Sequence, residues 1–286
     1  VKLVSFKGPT GISYGLLQGE GIVDAGRHLG EDYPTLKSAL ATPDRLKALV
    51  GAATDVTLGE VQLLPPVPDP GRILCIGLNY KSHIAETGRD IPKYPMLFPR
   101  YPDSLVGSGE AMLRPLASER FDFEGELAFV IGKGGRRIAA ADALSHVAGY
   151  ACFNDGSIRD YQRHTTQFLP GKNFWRSGSF GPWICTPDEV GDIGKLELVT
   201  RLNGAEMQRA KLDDLLFGIA DLITYISTFL PLEPGDVIAT GTAGGVGIFR
   251  EPPLFMKAGD VVEVEIDRLG LLCNPIVDEA EEVAPS

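Results

Sequence analysis

The chain has 286 residues, of which 44% are apolar and 23% charged, with a formal net charge of −11. That length holds one large domain or two modest ones, and that composition suits a globular protein with a real core. The acidic balance argues against nucleic acid and anionic membrane as partners; a small anion can bind only where local cations or a metal reverse the field.

Four cysteines, Cys75, Cys152, Cys185 and Cys273, are scattered with no CxxC pair. They read as reduced thiols in a cytoplasmic protein rather than a disulfide framework. No secretory leader pattern, long apolar span or internal repeat is visible.

In chain order, KLVSF and ISYGLLQGEGIVDAG read as short strands with glycine turns, and TLKSALA and PDRLKALVGA carry apolar residues at helical spacing. VQLLPP is a brief strand. The segment PPVPDPG, Pro65 to Gly71, has four prolines in seven residues and is extended and stiff. It divides a small α+β unit, residues 1–68, from a second domain, residues 69–286.

In the second domain, RILCIGLNY is a buried strand and KSHIAETG a short helix ended by glycine. ELAFVIGKGGRRI and HVAGYACFND are strands, and LELVTRLNGAEMQRA is a hairpin turning at Asn-Gly. Leu212 to Leu230 is expected as the one long amphipathic helix. PGDVIATGT and AGDVVEVEIDRLGLLCNPIV return to strand. The fold class is therefore α+β and β-rich, a barrel or rolled sheet with few helices.

FDFEGELAF, Phe121 to Phe129, alternates apolar and acidic residues, so Asp122, Glu124 and Glu126 share one face of a strand. Alone this is a solvated face. That face continues as Ala128 and Val130, however, and the opposite face is apolar, which points to burial on both sides. Buried carboxylates repel one another unless a cation compensates them. Glu124 and Glu126 are therefore candidate ligands, and Asp122 is expected to be the wet end of the strand.

Asp155 follows the strand GYACF and is either an Asp-Gly turn residue or a third oxygen ligand. Three carboxylates without histidine or thiolate suit a hard ion, Mg²⁺, Mn²⁺ or Ca²⁺. Arg159 can clamp a substrate carboxylate or pair with Asp155 or Asp160 as scaffold. His83 and Glu86, three apart, share a helical face, an arrangement that suits a general base or an ordinary surface pair. The glycine-rich TGTAGGVGIF lacks the endings of nucleotide-binding loops and suits close backbone approach, with Thr242 offering a hydroxyl. Lys172, in GKNF, has no local partner and reads by itself as solvated.

Together CIGLNYKSHIAETG, FEGELAFVIGK, GYACFNDGSIRDYQ, GKNFWRSGSFGPW, NGAEMQ, LEPGDVIATGTAGGVG and GDVVEVEIDRLG resemble the fumarylacetoacetate hydrolase superfamily, in its order, from about Ile73 to Val277. Bacterial acylpyruvate hydrolases and 2-oxohepta-3-enedioate isomerase-like enzymes of aromatic catabolism are the members it looks like. The resemblance implies a mixed β-roll, a homodimer, and Mg²⁺ or Mn²⁺ held by Glu124, Glu126 and Asp155, with Ca²⁺ as a substitute. It implies a His83–Glu86 base dyad on a mobile lid, with Lys172, Arg159, Gln162 and Thr242 on the substrate side. The implied substrate is a small anionic 2-oxo acid, cleaved at a C–C bond, decarboxylated or isomerised. A Ca²⁺-stabilised binding module is the non-enzyme alternative. Arg100 stands where many members carry lysine, and Tyr94, Phe98, Arg100, Phe168 and Trp175 are the residues expected to choose the substrate's distal group.

Overall fold

The computed structural model describes residues 1–88 and 90–280. Strands β1 (Lys2–Gly8), β2 (Gly11–Gln18) and β3 (Gly21–Asp24) form a meander followed by helices α1 (Ala25–Leu29), α2 (Leu36–Leu40) and α3 (Pro43–Lys47) and short strands β4 (Val56–Thr57) and β5 (Gln62–Leu63). Beyond the prolines come β6 (Ile73–Gly77), α4 (Lys81–Thr87), β7 (Met96–Arg100), β8 (Leu105–Val106), β9 (Met112–Arg114) and β10 (Phe121–Asp122). Then follow β11 (Gly125–Ile131), β12 (Val147–Asn154), β13 (Ser157–Ile158), α5 (Arg159–Gln162), α6 (Leu169–Lys172), β14 (Gly178–Cys185) and α7 (Pro187–Val190). The remainder is β15 (Glu197–Leu202), β16 (Ala205–Lys211), α8 (Ile219–Phe229), β17 (Val237–Thr242), β18 (Val261–Ile266) and β19 (Gly270–Asp278).

The largest sheet runs β4-β3-β2-β1-β14-β12-β11-β17-β6-β7, and a second runs β16-β15-β18-β19-β9. Most pairs are antiparallel, while β17 with β6 and β19 with β9 are parallel, so the sheets are mixed. This is the β-rich fold expected of the sequence.

Strand β11 lies centrally and every one of its residues is buried. Its alternation sends Leu127, Phe129 and Ile131 into a core shared with Leu198, Val264 and Leu272 of the second sheet and with α8. Ala128 and Val130 enter the other core, with Phe153, Phe180 and the N-terminal residues Leu16 and Val23. Two apolar faces make such a strand continuously hydrophobic, which is why its acids are confined to one end. The hairpin β15–β16 turns at Asn203 and Gly204, both with positive φ (52° and 77°), as a two-residue turn of matching twist requires.

The long helix is shorter than its sequence pattern. It starts at Ile219, and Leu212–Asp214 form a 3₁₀ turn. Asn79 is the cause: its carbonyl accepts the Leu216 N–H at 2.7 Å, and its side chain accepts from Phe217 N at 2.8 Å and donates to Phe217 O at 3.0 Å. Those bonds hold residues 216–217 out of helical geometry. Ile219, Leu222, Ile223 and Ile226 then bury one face. Among the described residues no helix is long and apolar enough to cross a membrane.

Candidate active site

Glu126 lies near the start of β11, and Asp155 immediately follows β12. The two strands pair antiparallel with Gly125 opposite Asn154, so these ends coincide. Glu124 sits at the break between β10 and β11, where its N–H donates to Asn154 Oδ1 at 3.1 Å and its carbonyl accepts from Asp155 N at 2.9 Å. Gly125 separates the two glutamates because a Cβ there would meet Thr200 Oγ1 at 2.0 Å. Oxygens of Glu124, Glu126 and Asp155 come within 4.8 Å of one another, all buried.

Three buried cations surround them. Lys172, 1% exposed, donates to Glu124 Oε2 at 2.7 Å and Asp155 Oδ2 at 2.6 Å, and is not the solvated lysine its local sequence suggests. Arg159 pairs with Asp122 at 2.7 Å and Glu124 at 2.6 Å, so neither Asp155 nor Asp160 is its partner. Arg100 pairs with Asp155 Oδ1 at 2.6 Å and donates to Gly156 O, Ser104 and Ser177.

Other residues also behave differently from their sequence reading. Asp122 is fully buried, not the wet end of its strand. It holds Arg159 and accepts from Gly247 N and Ile248 N, partners about 125 residues away that no local pattern reveals. Arg100 lies behind Asp155 rather than on the cavity wall, so it acts on a candidate ligand and not on the substrate's distal group. Of the residues expected to choose the distal group, Phe98 and Phe168 line the cavity. Tyr94 instead stacks with Tyr225, and Trp175 lies beside the Arg176 guanidinium.

The cavity, about 180 Å³, brings together His83, Glu124, Glu126, Asp155, Arg159, Gln162, Lys172 and Thr242, and adds Arg163, Ile248 and Phe249. His83 Nδ1 is 3.1 Å from Glu86 Oε2, and Glu86 Oε1 accepts from Gly245 N at 2.9 Å. Gly241 N donates to Glu126 Oε2 at 2.8 Å. The glycine-rich segment thus approaches carboxylates of the protein itself: Glu126, Glu86 and Asp122. At Gly247 a Cβ would lie 2.6 Å from Asp122 Oδ1 and 1.9 Å from Leu254 O. Gln208, which sequence reasoning passed over, donates to Thr242 Oγ1 at 2.8 Å and accepts from Gly125 N at 2.9 Å. Thr242 in turn gives its proton to Gly125 O, leaving its hydroxyl as an acceptor toward the cavity.

Charge decides what this cluster can hold. Burial raises the Glu124 carboxyl, but Lys172 and Arg159 outweigh it and bring it down to about 2. Burial, then Asp155 and Glu124, push Glu126 well above the ordinary carboxylate range. Burial lowers the Lys172 ammonium, and Asp155 and Glu124 more than restore it. Among the described residues the basic side chains within salt-bridge distance of Asp122, Glu124, Glu126 and Asp155 are Arg100, Arg159 and Lys172, and none of the three lies that close to Glu126. The all-oxygen donor set and the uncompensated Glu126 fit a hard divalent cation.

A mixed β-roll with three converging buried carboxylates, flanking guanidinium groups and a carboxylate-oriented imidazole in one cavity defines a class of enzymes. The chain belongs to the fumarylacetoacetate hydrolase family: residues 72–277 match the family described as Fumarylacetoacetate (FAA) hydrolase C-terminal. It is similar to the mitochondrial oxaloacetate tautomerase of Bos taurus, 42% identical over 220 residues that cover 76% of this chain and 70% of that protein. Maleylpyruvate hydrolase from Sphingobium sp. SYK-6, solved with manganese(II) and pyruvate, superposes with a TM-score of 0.82 at 28% identity, covering 98% of this chain and 100% of that one. The 2-hydroxyhepta-2,4-diene-1,7-dioate isomerase of Mycobacterium marinum does so with a TM-score of 0.80 at 28% identity, covering 98% and 99%.

Proposed function

We propose that this enzyme interconverts the keto and enol forms of a small 2-oxo acid, with oxaloacetate as the substrate to test first. The observation that carries the reading is the pairing of the buried triad, whose Glu126 lacks a cation, with His83 in the same cavity. The likeness to an oxaloacetate tautomerase supports the choice of substrate.

Glu124, Glu126 and Asp155 would hold Mg²⁺ or Mn²⁺, with Ca²⁺ as a substitute. Such an ion supplies Lewis-acid polarisation of the 2-oxo group. With Nδ1–H donated to Glu86, His83 keeps a free lone pair at Nε2 and carries the proton between C3 and the 2-oxygen. Lys172 would face the negative charge that develops on the 2-oxygen, Arg159 would clamp the substrate carboxylate, and Gln162 and Thr242 complete the polar wall.

C–C hydrolysis of an acylpyruvate is the second reading, favoured by the carboxylate-oriented His83. Nε2 would take a proton from water, the hydroxide would add to the distal carbonyl, the C–C bond would break to release a carboxylic acid, and the electron pair left on the pyruvate half would take the proton back from Nε2. Decarboxylation of oxaloacetate needs no such water. Residues 1–68 are taken as a structural N-terminal domain, the enzyme as a homodimer, and the four free cysteines as fitting a reducing, cytoplasmic setting.

The test is a spectrophotometric panel of enol oxaloacetate, acylpyruvates and unsaturated 2-oxo diacids, each with Mg²⁺ and after chelation. Mg²⁺-dependent acceleration of enol oxaloacetate decay, without loss of total oxaloacetate, supports tautomerisation. Pyruvate release from an acylpyruvate alone moves the assignment to hydrolysis. No metal-dependent change with any substrate sinks both.

A further inference from the structure

Asp122 has more partners than a structural ion pair needs. Its carboxylate accepts from Arg159 Nε at 2.7 Å, Gly247 N at 2.8 Å, Ile248 N at 2.9 Å and Phe123 N at 2.8 Å. Arg159 is committed in turn: Nε to Asp122, and Nη1 to Glu124 Oε1 at 2.6 Å and Gln162 Oε1 at 3.0 Å. Its Nη2 is different. That nitrogen is buried and has no hydrogen-bond partner, on a residue that lines the cavity.

A buried guanidinium N–H without an acceptor costs free energy until something supplies one. The planar fork makes the consequence geometric, because fixing Nε and Nη1 fixes Nη2 as well. The Gly247 and Ile248 amides carry the same anchor into the cavity wall. Ile248 and Phe249 both line the cavity, and the Phe249 ring lies edge-on to His83 with centroids 6.1 Å apart.

We propose that Asp122 is a positioning residue that presents Arg159 Nη2 to the substrate carboxylate and sets the Ile248–Phe249 wall opposite His83. This rests on the reading of Arg159 as the carboxylate clamp. It assigns to a second-row acid, outside the triad, the orientation of the substrate's anionic end. Asparagine at this position keeps the shape but must turn one N–H toward Arg159 Nε or a backbone amide, donor against donor.

The experiment uses full-length protein and oxalate as the probe. Titration calorimetry with Mg²⁺ present should show Asp122→Asn weakening oxalate binding by about 30-fold or more, the loss expected when a buried charge pair is broken. Mn²⁺ affinity, read by electron paramagnetic resonance, should change by less than the about 10–100-fold typical of disturbing a ligand's own hydrogen-bond partner. Arg159→Lys should match the oxalate loss, and the double variant should bind no worse than Arg159→Lys alone. Wild-type-like oxalate binding in Asp122→Asn, or losses that multiply in the double variant, would overturn the proposal. Unchanged oxalate binding in Arg159→Lys would overturn the clamp reading together with it. If Asp122→Asn does not fold, arginine-labelled NMR of the metal-free wild type decides. The Arg159 Nε–H, identified by its loss in Arg159→Lys, should exchange slowly with and without oxalate, whereas fast exchange would refute the anchor.

Discussion

Lys172 Nζ lies 2.6 Å from Asp155 Oδ2, and both side chains are sealed from solvent. The same ammonium reaches Glu124, so one buried cation serves two carboxylates that also face Glu126. Removing it leaves the buried cluster one cation short, with Asp155 held only by Arg100 and Glu124 only by Arg159, a loss of up to about 3–5 kcal/mol. Lys172→Met should therefore lower the melting temperature of chelated protein, and saturating Mg²⁺ should recover much of the loss. A larger Mg²⁺-induced shift than in wild type is the result expected from differential scanning fluorimetry; an equal shift would separate the lysine from the ion's site.

Glu126 gives the opposite stability effect. Its folded carboxyl titrates above its unfolded one, because of burial and then of Asp155 and Glu124. The metal-free fold retains this proton after the unfolded chain has lost it. This contribution is therefore largest below the unfolded value, about 4.3, and declines as pH rises from there through the folded value. Glu124, brought to about 2, has the reverse sign: its contribution is present above the unfolded value and lost as pH falls through about 2. Glu126→Gln should raise the melting temperature of chelated protein near pH 8, at about 2–4 °C per kcal/mol, and abolish the Mg²⁺-induced shift. A destabilised variant that still responds to Mg²⁺ would contradict this.

His83→Ala should lower kcat by about 10²–10⁴-fold, the usual worth of a general base, with Mn²⁺ affinity unchanged. Glu86→Gln should cost less, since its one amide oxygen can still accept from Nδ1, while the charge that supports the imidazolium and the acceptor of Gly245 N are lost. Equal kcat values for wild type and His83→Ala would remove the imidazole from proton transfer.

Arg100→Lys replaces a buried fork that reaches Asp155, Gly156, Ser104 and Ser177 by a single point charge. Metal affinity should fall about tenfold, as for other partners of a ligand. The ratio of kcat/KM between two 2-oxo acids should stay constant, because Arg100 is off the cavity wall. A changed ratio at unchanged affinity would return Arg100 to substrate selection.

Local pattern was enough for many of the strands, though not for β7 or β14, and for the Asn203–Gly204 turn and the helix end at Gly88, since each reflects backbone preference or side-chain period within a few residues. It was enough too for the burial of β11, because an acidic face that turns apolar cannot remain in water. The burial of Glu124 and Glu126 was legible for that reason; that Asp155 joins them was not, because only the pairing of β11 with β12 brings the two strand ends together. What the sequence could not determine were partnerships across the fold. Asp122 reads as wet until Arg159, Gly247 and Ile248 surround it, and Lys172 as solvated until β11 and β12 bring two carboxylates to it. Helix α8 begins late because Asn79, more than 130 residues earlier, takes the hydrogen bonds of the preceding turn. Period and propensity act along the chain. Desolvation and charge pairing act through space, and only the tertiary structure decides which groups must compensate one another.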